Sequence, residues 1–560
     1  QQQADDILAG SGRLEATAVR DEAGIRAEII TLATPNARIN GNADLRTGGS
    51  SVELSANLAD ASLISTDLTG PLTLAARASQ ETEAWQWSAN GGLEGTEFDV
   101  AGTATDVFGT PEITAQGTLA VEDLSDFAAI AKRDIGGRVQ AQFSGEAVAD
   151  LSRAAITLDA TTTDLRVAQE QADVLMTGPV RISLDGELSD GTVSVQNSIV
   201  EGRNIRLEAD GSLGETDGSL TASGRINSAS LLFDGAPEGP ITFSGSTDRD
   251  GNDWAFDLGL TGPNLTVDAQ GLAVDPTGAD GEIEGEIIAR ADDLSIFSEL
   301  ANSALTGNIA VDLKGGLALD LEQFDLDGTV SGSGLSVGQA QVDQLIAGDL
   351  SLDIDASRNG EAIDLDTFTV STNLLSVDAQ GELGARASSI TIDARLADVA
   401  PFAAGFSGPL GVAGTIGQNG SGANFVPDLS LTGPGGTEAT LRGETAPDFS
   451  TVNVTLDGFA PLGLINQFIQ PRSLAGNVGF ELAVNGAPTV QNVTGVITTS
   501  GTRLVDPSIR INFDDISGNV SLENGRANVA MVAIPRDGGQ ISIDGPIALT
   551  PPLDANVTIL

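Results

Sequence analysis

One stretch decides the fold of this chain: Ser351-Leu352-Asp353-Ile354-Asp355, in which polar and apolar residues alternate. The same alternation recurs at Ile390-Thr391-Ile392-Asp393-Ala394 and at Ile509-Arg510-Ile511-Asn512-Phe513. Successive side chains of a β-strand point to opposite faces, so each stretch predicts a strand with one apolar face and one polar face. Turn residues interrupt the pattern about every ten positions, which predicts a long series of short strands.

The composition narrows the range of functions. The chain has 560 residues, 40% of them hydrophobic, and no cysteine, histidine or tyrosine; its formal net charge is 27 minus 79, or −52. A charge of this sign repels nucleic acid and anionic lipid surfaces, and it favours solubility of a large β surface. The usual general base, the thiol nucleophile and the soft metal ligands are missing, and scattered acids on the polar positions of strands are typical of a solvated face. We therefore predict no enzyme activity, no catalytic or metal site and no cofactor.

The spacing of turn residues predicts the number of strands and the length of the sheet. One strand per ~12 residues gives about 45 strands, and at ~4.8 Å between neighbours a single sheet of that size would run roughly 200 Å. Gly-Pro steps are expected to open strands, because proline is tolerated at a strand's first residue. They occur at 70–71, 178–179, 239–240, 262–263, 408–409, 433–434 and 545–546.

The sequence also contains a second repeat, which is longer than a single strand. Segments with Asp, Ser or Pro near their start predict a short helical turn followed by a return to sheet. They lie at 60–63, 123–131, 293–301, 398–402 and 458–462. The repeat unit is therefore several strands plus a short helix, of variable length, and no Pro- or Ser-rich linker separates domains.

Two segments resemble other structures. Residues 399–417 are nearly free of charge, but Pro401, Pro409 and five glycines make a membrane-spanning helix a poor fit, since broken backbone hydrogen bonds have no partner in hydrocarbon. Residues 248–253 (DRDGND) resemble a calcium loop, but Asp253 and Gly259 stand where an EF-hand needs Gly and Glu. A polar hairpin turn is the prediction there.

The apolar face of such a sheet must be covered, and helices long enough to cover it are missing. Two arrangements remain open: a closed sandwich or β-solenoid with a filled core, or an open trough that holds an apolar ligand. The lining is aliphatic, which suits acyl chains. The predicted lining residues are Ile182, Leu184, Ile205, Leu207, Ile309, Val311, Leu313, Leu350, Leu352, Ile354, Ile390, Ile392, Val452, Val454, Leu456, Phe480, Leu482, Val484, Ile509, Ile511, Phe513, Ile541 and Ile543.

The last part of the chain contains a series of motifs at glycine-bearing turns and strand edges, none of which is catalytic. They are LAGNVGF at 474–480, VNGAP at 484–488, GVI at 495–497, RLVDP at 503–507, ISGNV at 516–520 and DGGQISIDG at 537–545. This series resembles the opening of the C-terminal domain of the TamB family, the inner-membrane component of the translocation and assembly module and a relative of AsmA-like, bridge-like lipid transfer proteins. The resemblance is strongest over about residues 400–560, and upstream it extends only to the style of the repeat.

The resemblance implies an all-β fold, a repeat sheet curled into an open hydrophobic trough called a β-taco, with residues 1–400 as trough and 401–560 as the start of the C-terminal-type domain, continuous with it. It implies a periplasmic protein that conducts phospholipids between the inner and outer membranes and supports outer-membrane protein assembly. The implied partners are phospholipid acyl chains and a TamA-like Omp85 barrel, the latter through a region beyond this chain. We also expect the chain to be part of a longer protein, whose N-terminal inner-membrane anchor is absent here.

Two other functions stay open. A chaperone-like scaffold would pair its strand edges with incoming outer-membrane barrel strands. A secreted adhesin or autotransporter-type passenger would need an even repeat and a filled core, and the irregular, helix-bearing repeat speaks against it.

Overall fold

The computed structural model describes residues 10–65, 67–278, 281–384, 386–420, 422–508, 510–551 and 553–560. Strands hold 64% of the residues and helices 7%, which confirms the all-β class, the antiparallel repeat sheet and the short helices between groups of strands. The chain divides into two units, Gln1–Thr277 (unit 1) and Gly278–Leu560 (unit 2).

Unit 1 is a meander in which each strand pairs antiparallel with the next, from the first strand to the seventeenth. Its strands are β1 (Arg13–Asp21), β2 (Gly24–Ala33), β3 (Ala37–Arg46), β4 (Gly49–Leu58), β5 (Leu72–Gln80), β6 (Trp85–Leu93), β7 (Thr96–Thr105), β8 (Glu112–Val121), β9 (Gly136–Val148), β10 (Arg153–Arg166), β11 (Pro179–Ser189), β12 (Thr192–Gly202), β13 (Ile205–Leu213), β14 (Asp217–Ile226), β15 (Ile241–Asp250), β16 (Asp253–Gly262) and β17 (Leu265–Val274).

Unit 2 continues the same pattern with one departure described below. Its strands are β18 (Glu282–Ala291), β19 (Thr306–Ala318), β20 (Gln323–Ser336), β21 (Asp349–Asn359), β22 (Ala362–Ser371), β23 (Leu375–Leu383), β24 (Ser388–Leu396), β25 (Leu410–Gln418), β26 (Phe425–Gly433), β27 (Thr437–Thr445), β28 (Val452–Pro461), β29 (Ser473–Ala475), β30 (Asn477–Gly486), β31 (Val493–Asp506), β32 (Ile511–Glu523), β33 (Arg526–Pro535), β34 (Ile541–Ala548) and β35 (Thr558–Ile559).

The departure lies at β29. β28 pairs directly with β30, while β29 pairs only with the far half of β31. Gly476 separates β29 from β30 with a φ of 133°, a conformation that favours glycine. The short strand therefore leaves the meander and extends the sheet beside β31.

Alternation in sequence becomes alternation in burial. In β5 and β24 every second residue is half-buried and every other one is exposed. The described residues form 35 strands rather than the expected 45 or so, because strands such as β10, β20 and β31 run to 14 residues and the helical inserts take up more of the chain.

The helical elements are short. They are the 3-10 turns Ala61–Leu63, Leu124–Phe127, Ala229–Leu231, Leu294–Phe297, Pro434–Gly436, Leu462–Ile465 and Val490–Asn492, and the helices α1 (Ala128–Ala131), α2 (Glu170–Leu175) and α3 (Ala340–Leu345). All of them follow even-numbered strands, which in an antiparallel meander end on the same side of the sheet. We call this side of each unit the helical rim and the opposite side, where β7 and β8 or β21 and β22 turn, the hairpin rim. The exception in position is Val490–Asn492, because it follows β30, which pairs antiparallel with β28 and therefore ends on the opposite side.

Most of the predicted turns are found. Asp123 caps its 3-10 turn by accepting a hydrogen bond from Ser125 N at 2.9 Å, and Asp293 does the same with Ser295 N at 2.9 Å. The segment at 398–402 is a hydrogen-bonded turn without a helix, with Phe402 N donating to Val399 O at 2.9 Å. Among the described residues no helix is long and apolar enough to span a membrane.

Some predicted boundaries are confirmed and two are wrong. Residues 399–417 form turns and most of β25, and residues 248–253 are the hairpin between β15 and β16. Pro179 opens β11 as expected. Pro434 instead starts a 3-10 turn, and Pro546 lies inside β34. Pro434 lies between β26 and β27, where no ladder hydrogen bond is required of it.

Candidate functional site

The candidate site is the apolar face of the sheet, which in unit 1 contains an unbroken row of apolar residues. Residues that are directly opposite in an antiparallel register lie on the same face, so the registers define this row. Each of the 17 described strands contributes one member. The unit 1 row is Leu14, Leu32, Ile39, Ala56, Leu74, Gly91, Phe98, Leu119, Ala141, Ala160, Ile182, Val200, Leu207, Gly224, Phe243, Leu260 and Val267.

Unit 2 has a row of the same kind, which runs from β18 to β34 without a polar member. The row bypasses β29, because β28 pairs directly with β30. The unit 2 row is Ala289, Val311, Val330, Leu352, Val370, Val377, Ala394, Val412, Leu431, Ala439, Gly458, Phe480, Ile497, Val520, Val529 and Gly545. A second row beside it runs through Leu313, Ile354, Ile392, Leu456 and Leu482 and is also apolar throughout.

The residues predicted to line an apolar face fall into these registers. Ile182 and Leu207 belong to the unit 1 row, and Leu184 and Ile205 lie two residues along their strands on the same face. Ile509 lies outside the described residues. In unit 2, eight predicted residues belong to the two rows given above. The others lie beside these rows on the same face: Ile309, Leu350, Ile390, Val452, Val454, Val484, Ile511, Phe513, Ile541 and Ile543.

These side chains are half-buried rather than enclosed. Every described residue in the predicted lining is only partly covered, and Ile511 is 37% exposed. In a closed sandwich or filled solenoid the same positions would be buried, since protein interiors are close-packed. The exposure therefore favours an open apolar face over a filled core in each unit.

Coverage in unit 1 falls from the helical rim to the hairpin rim. Near the helical rim, Leu58, Val121 and Val180 have at most 7% of their surface exposed. At the hairpin rim, Val193 and Leu213 are 49% and 47% exposed. The short inserts close one side of the apolar face, and the other side is open to solvent.

The opposite, polar face of unit 1 is concave over part of its extent. A cavity of about 1080 Å³ in unit 1 crosses β5 to β12. Residues such as Ser79, Gln86, Thr103, Gln116 and Ser144 line it. Sequence reasoning missed this concavity, because alternation identifies the polar positions but carries no signal for the curvature of the sheet. Its hydroxyl and amide lining does not suit an acyl chain.

An apolar cavity of about 320 Å³ lies in unit 2, where β29 joins β31. The 3-10 turn Leu462–Ile465 contributes Leu462 to its wall, and the predicted residues Phe513, Ile541 and Ile543 line it. The sequence identified these three residues as part of a lining, but it gave no sign of a cavity, which depends on the detour of β29.

Acidic side chains are common in the described residues, but no group of three or more of them is placed to hold a metal ion. The hydrogen bond from Ser125 N–H lowers the pKa of Asp123, and that from Ser62 N–H lowers the pKa of Asp60; both groups act as caps of exposed turns. The candidate site is therefore an extended aliphatic surface.

A search of protein-family models found no match to this chain, and a search of curated proteins found none either.

Proposed function

We propose that this chain is a TamB-like lipid conduit of the periplasm, in which the apolar faces hold the acyl chains of phospholipids that move between the inner and outer membranes. The observation that carries the proposal is the unbroken apolar row in each unit, most of whose members are partly exposed. Every CH2 group covered by such a surface contributes about 0.8 kcal/mol. Because no polar side chain interrupts the row, an acyl chain moving from strand to strand meets no unpaired polar group.

The rims suggest how a phospholipid would be oriented. The acyl chains would lie on the apolar face, and the headgroup would stay at the hairpin rim, where coverage is lowest and solvent is near. This arrangement requires no reaction and no cofactor. Support of outer-membrane protein assembly by a TamA-like barrel would follow from the supply of lipid.

Neighbouring residues on opposite faces give the sharpest test. Leu352 is a member of the unit 2 row, and Asp353 points to the polar face of the same strand. We expect a photo-crosslinking amino acid at position 352 to capture phospholipid in cells and one at position 353 to capture none. Equal labelling at both positions, or labelling at neither, would contradict the proposal.

A charge on each face provides the functional control. Leu352→Arg is expected to stop phospholipid transfer between vesicles while the far-UV circular dichroism spectrum stays unchanged, because an open face can hydrate the guanidinium. Asp353→Arg should leave transfer intact. If Leu352→Arg unfolds unit 2, the position belongs to a closed core and the conduit fails. Crosslinks from position 352 to nascent barrel proteins without lipid would favour the chaperone-like scaffold.

A further inference from the structure

We propose that the apolar cavity of unit 2 is a discrete site for one hydrocarbon chain, distinct from the extended face along which chains would move. The inference rests on the proposed function and deepens it, because it names one place where an amphiphile would be retained. The cavity has a volume of about 320 Å³ and lies between the 3-10 turn Leu462–Ile465 and the strands β29 to β34.

The wall of the cavity is almost entirely hydrocarbon. Leu474, Phe513, Ile516, Met531 and Ile543 are among its large apolar residues and come from four strands. The registers bring them together: β31 and β32 place Ile516 opposite Thr502, and β33 and β34 place Met531 opposite Ile543. This combination of large aliphatic and aromatic side chains is typical of sites that bind apolar ligands.

The polar groups at the boundary of the cavity are already satisfied. Thr499 Oγ1 donates to Asn477 O at 2.9 Å, and the hydroxyl groups of Thr499 and Thr502 are 2.6 Å apart. Water in a cavity needs two to four polar partners, and these two hydroxyls have no donor left to offer it, only acceptor lone pairs. Apolar cavities of this kind stay dry and bind apolar molecules.

The size and the opening of the cavity select its occupant. An engineered apolar cavity of about 150 Å³ in another protein takes benzene, and this cavity is about twice that volume. Its wall includes Ile497 and Val520, which are consecutive members of the unit 2 row. A chain lying on the row therefore reaches the cavity without crossing a polar barrier. The occupant is the hydrocarbon tail of an amphiphile, and its headgroup remains outside, because the hydroxyls of Thr499 and Thr502 in the wall have no donor left for it.

Met531 offers a direct way to fill the site. Its register partners are Gly518 and Ile543, so a larger side chain there projects into the cavity. We expect wild-type protein to bind the fluorescent fatty acid cis-parinaric acid at one saturable site per chain, and Met531→Trp to weaken that binding at least tenfold. Met531→Leu, which conserves volume, and Asn528→Trp, at an exposed position on the opposite face of the same strand, should leave it within about twofold.

A measurement on the wild-type protein covers the case in which Met531→Trp does not fold. A diazirine-bearing fatty acid, activated by light and mapped by peptide mass spectrometry, should label residues 513–543 above the rest of unit 2. Uniform labelling across unit 2, or no label in that segment, would overturn the inference.

The two proposals can fail separately. Phospholipid crosslinks at Leu352 without a saturable parinaric acid site would refute the cavity site and leave the conduit standing. A saturable site that Met531→Trp removes, with no lipid captured at Leu352, would support the cavity site and refute the conduit.

Discussion

Asp506 is a buried carboxylate at the end of β31, 4% exposed, beside the apolar cavity of unit 2. The Ser508 hydroxyl and then the Arg472 guanidinium lower the pKa of this carboxyl to about 2, from an ordinary value of 3.8. Arg472 Nε lies 2.6 Å from Asp506 Oδ2 and connects the loop before β29 to β31. The charged form of Asp506 thus holds the detour that shapes the cavity.

The depressed pKa predicts how stability depends on pH. A carboxyl with a lower pKa in the folded state contributes stability that is present above its unfolded pKa of about 3.8 and is lost as the pH falls towards about 2. We expect Asp506→Asn to lower the urea midpoint of unit 2 at pH 7, and the difference from wild type to shrink as the pH falls through this window. Far-UV circular dichroism would measure both midpoints.

A matched variant separates this pair from a general loss of charge. Asp457 is an exposed carboxylate on the polar face of β28 in the same unit. Asp457→Asn removes one negative charge and should leave the urea midpoint at pH 7 unchanged. An equal drop for both variants would show that the Arg472–Asp506 pair has no particular role.

At the scale of the strand, Gly414 shows how the sheet depends on a residue without a side chain. It lies in the middle of β25 with a φ of 150°, and a Cβ there would meet Asp428 O at 2.1 Å on the neighbouring strand. Gly414→Ala is therefore expected to destabilise unit 2 by about 1–3 kcal/mol, the cost of forcing the backbone out of this conformation. Thermal or urea unfolding would measure it.

The control lies in the same strand. A Cβ at Gly417 would find its nearest neighbour, Ser388 O, at 3.6 Å, which is ordinary van der Waals contact. Gly417→Ala should change the midpoint little or raise it slightly, because alanine restricts the unfolded chain. If both variants were equally tolerated, the close approach of β25 and β26 would not constrain the sheet.

Strand identity and strand face were predictable because alternation is a local property. Leu352 and Ile354 identify the apolar face of β21 from sequence alone, and the structure places them in adjacent rows. Strand pairing around β29 was not predictable. It depends on Gly476 and on the salt bridge from Arg472 to Asp506, 34 residues apart in sequence, and such non-local contacts leave no periodic signal.

The curvature of the sheet is the other feature that the sequence does not predict. The residues of the polar concavity in unit 1, such as Ser88 and Gln116, read as solvated positions, and they are polar positions in the structure too. Whether such a face is flat or concave depends on the summed twist of many strands. The sequence therefore predicts which face carries the candidate site, but it predicts neither of the two cavities.

For the whole molecule, the open faces leave a large surface to be kept in solution. The chain exposes 32278 Å², whereas two globular proteins of half its mass would together expose roughly 22,000 Å². Exposed apolar side chains on this surface include Leu213 and Leu258, at 47% and 50%. Patches of this kind promote association unless charge opposes it.

The net charge of −52 provides that opposition, and it disappears near the isoelectric point of about 4.1. We expect light scattering to report a single small species at pH 7 and low salt and large aggregates near pH 4, because protonated carboxyls no longer repel. At pH 7, about 1 M NaCl shortens the Debye length to ~3 Å and should also promote association. Saturating the apolar faces with lipid or detergent should suppress both effects, since it covers the surfaces that associate; aggregation that persists with the faces covered would place the associating surface elsewhere.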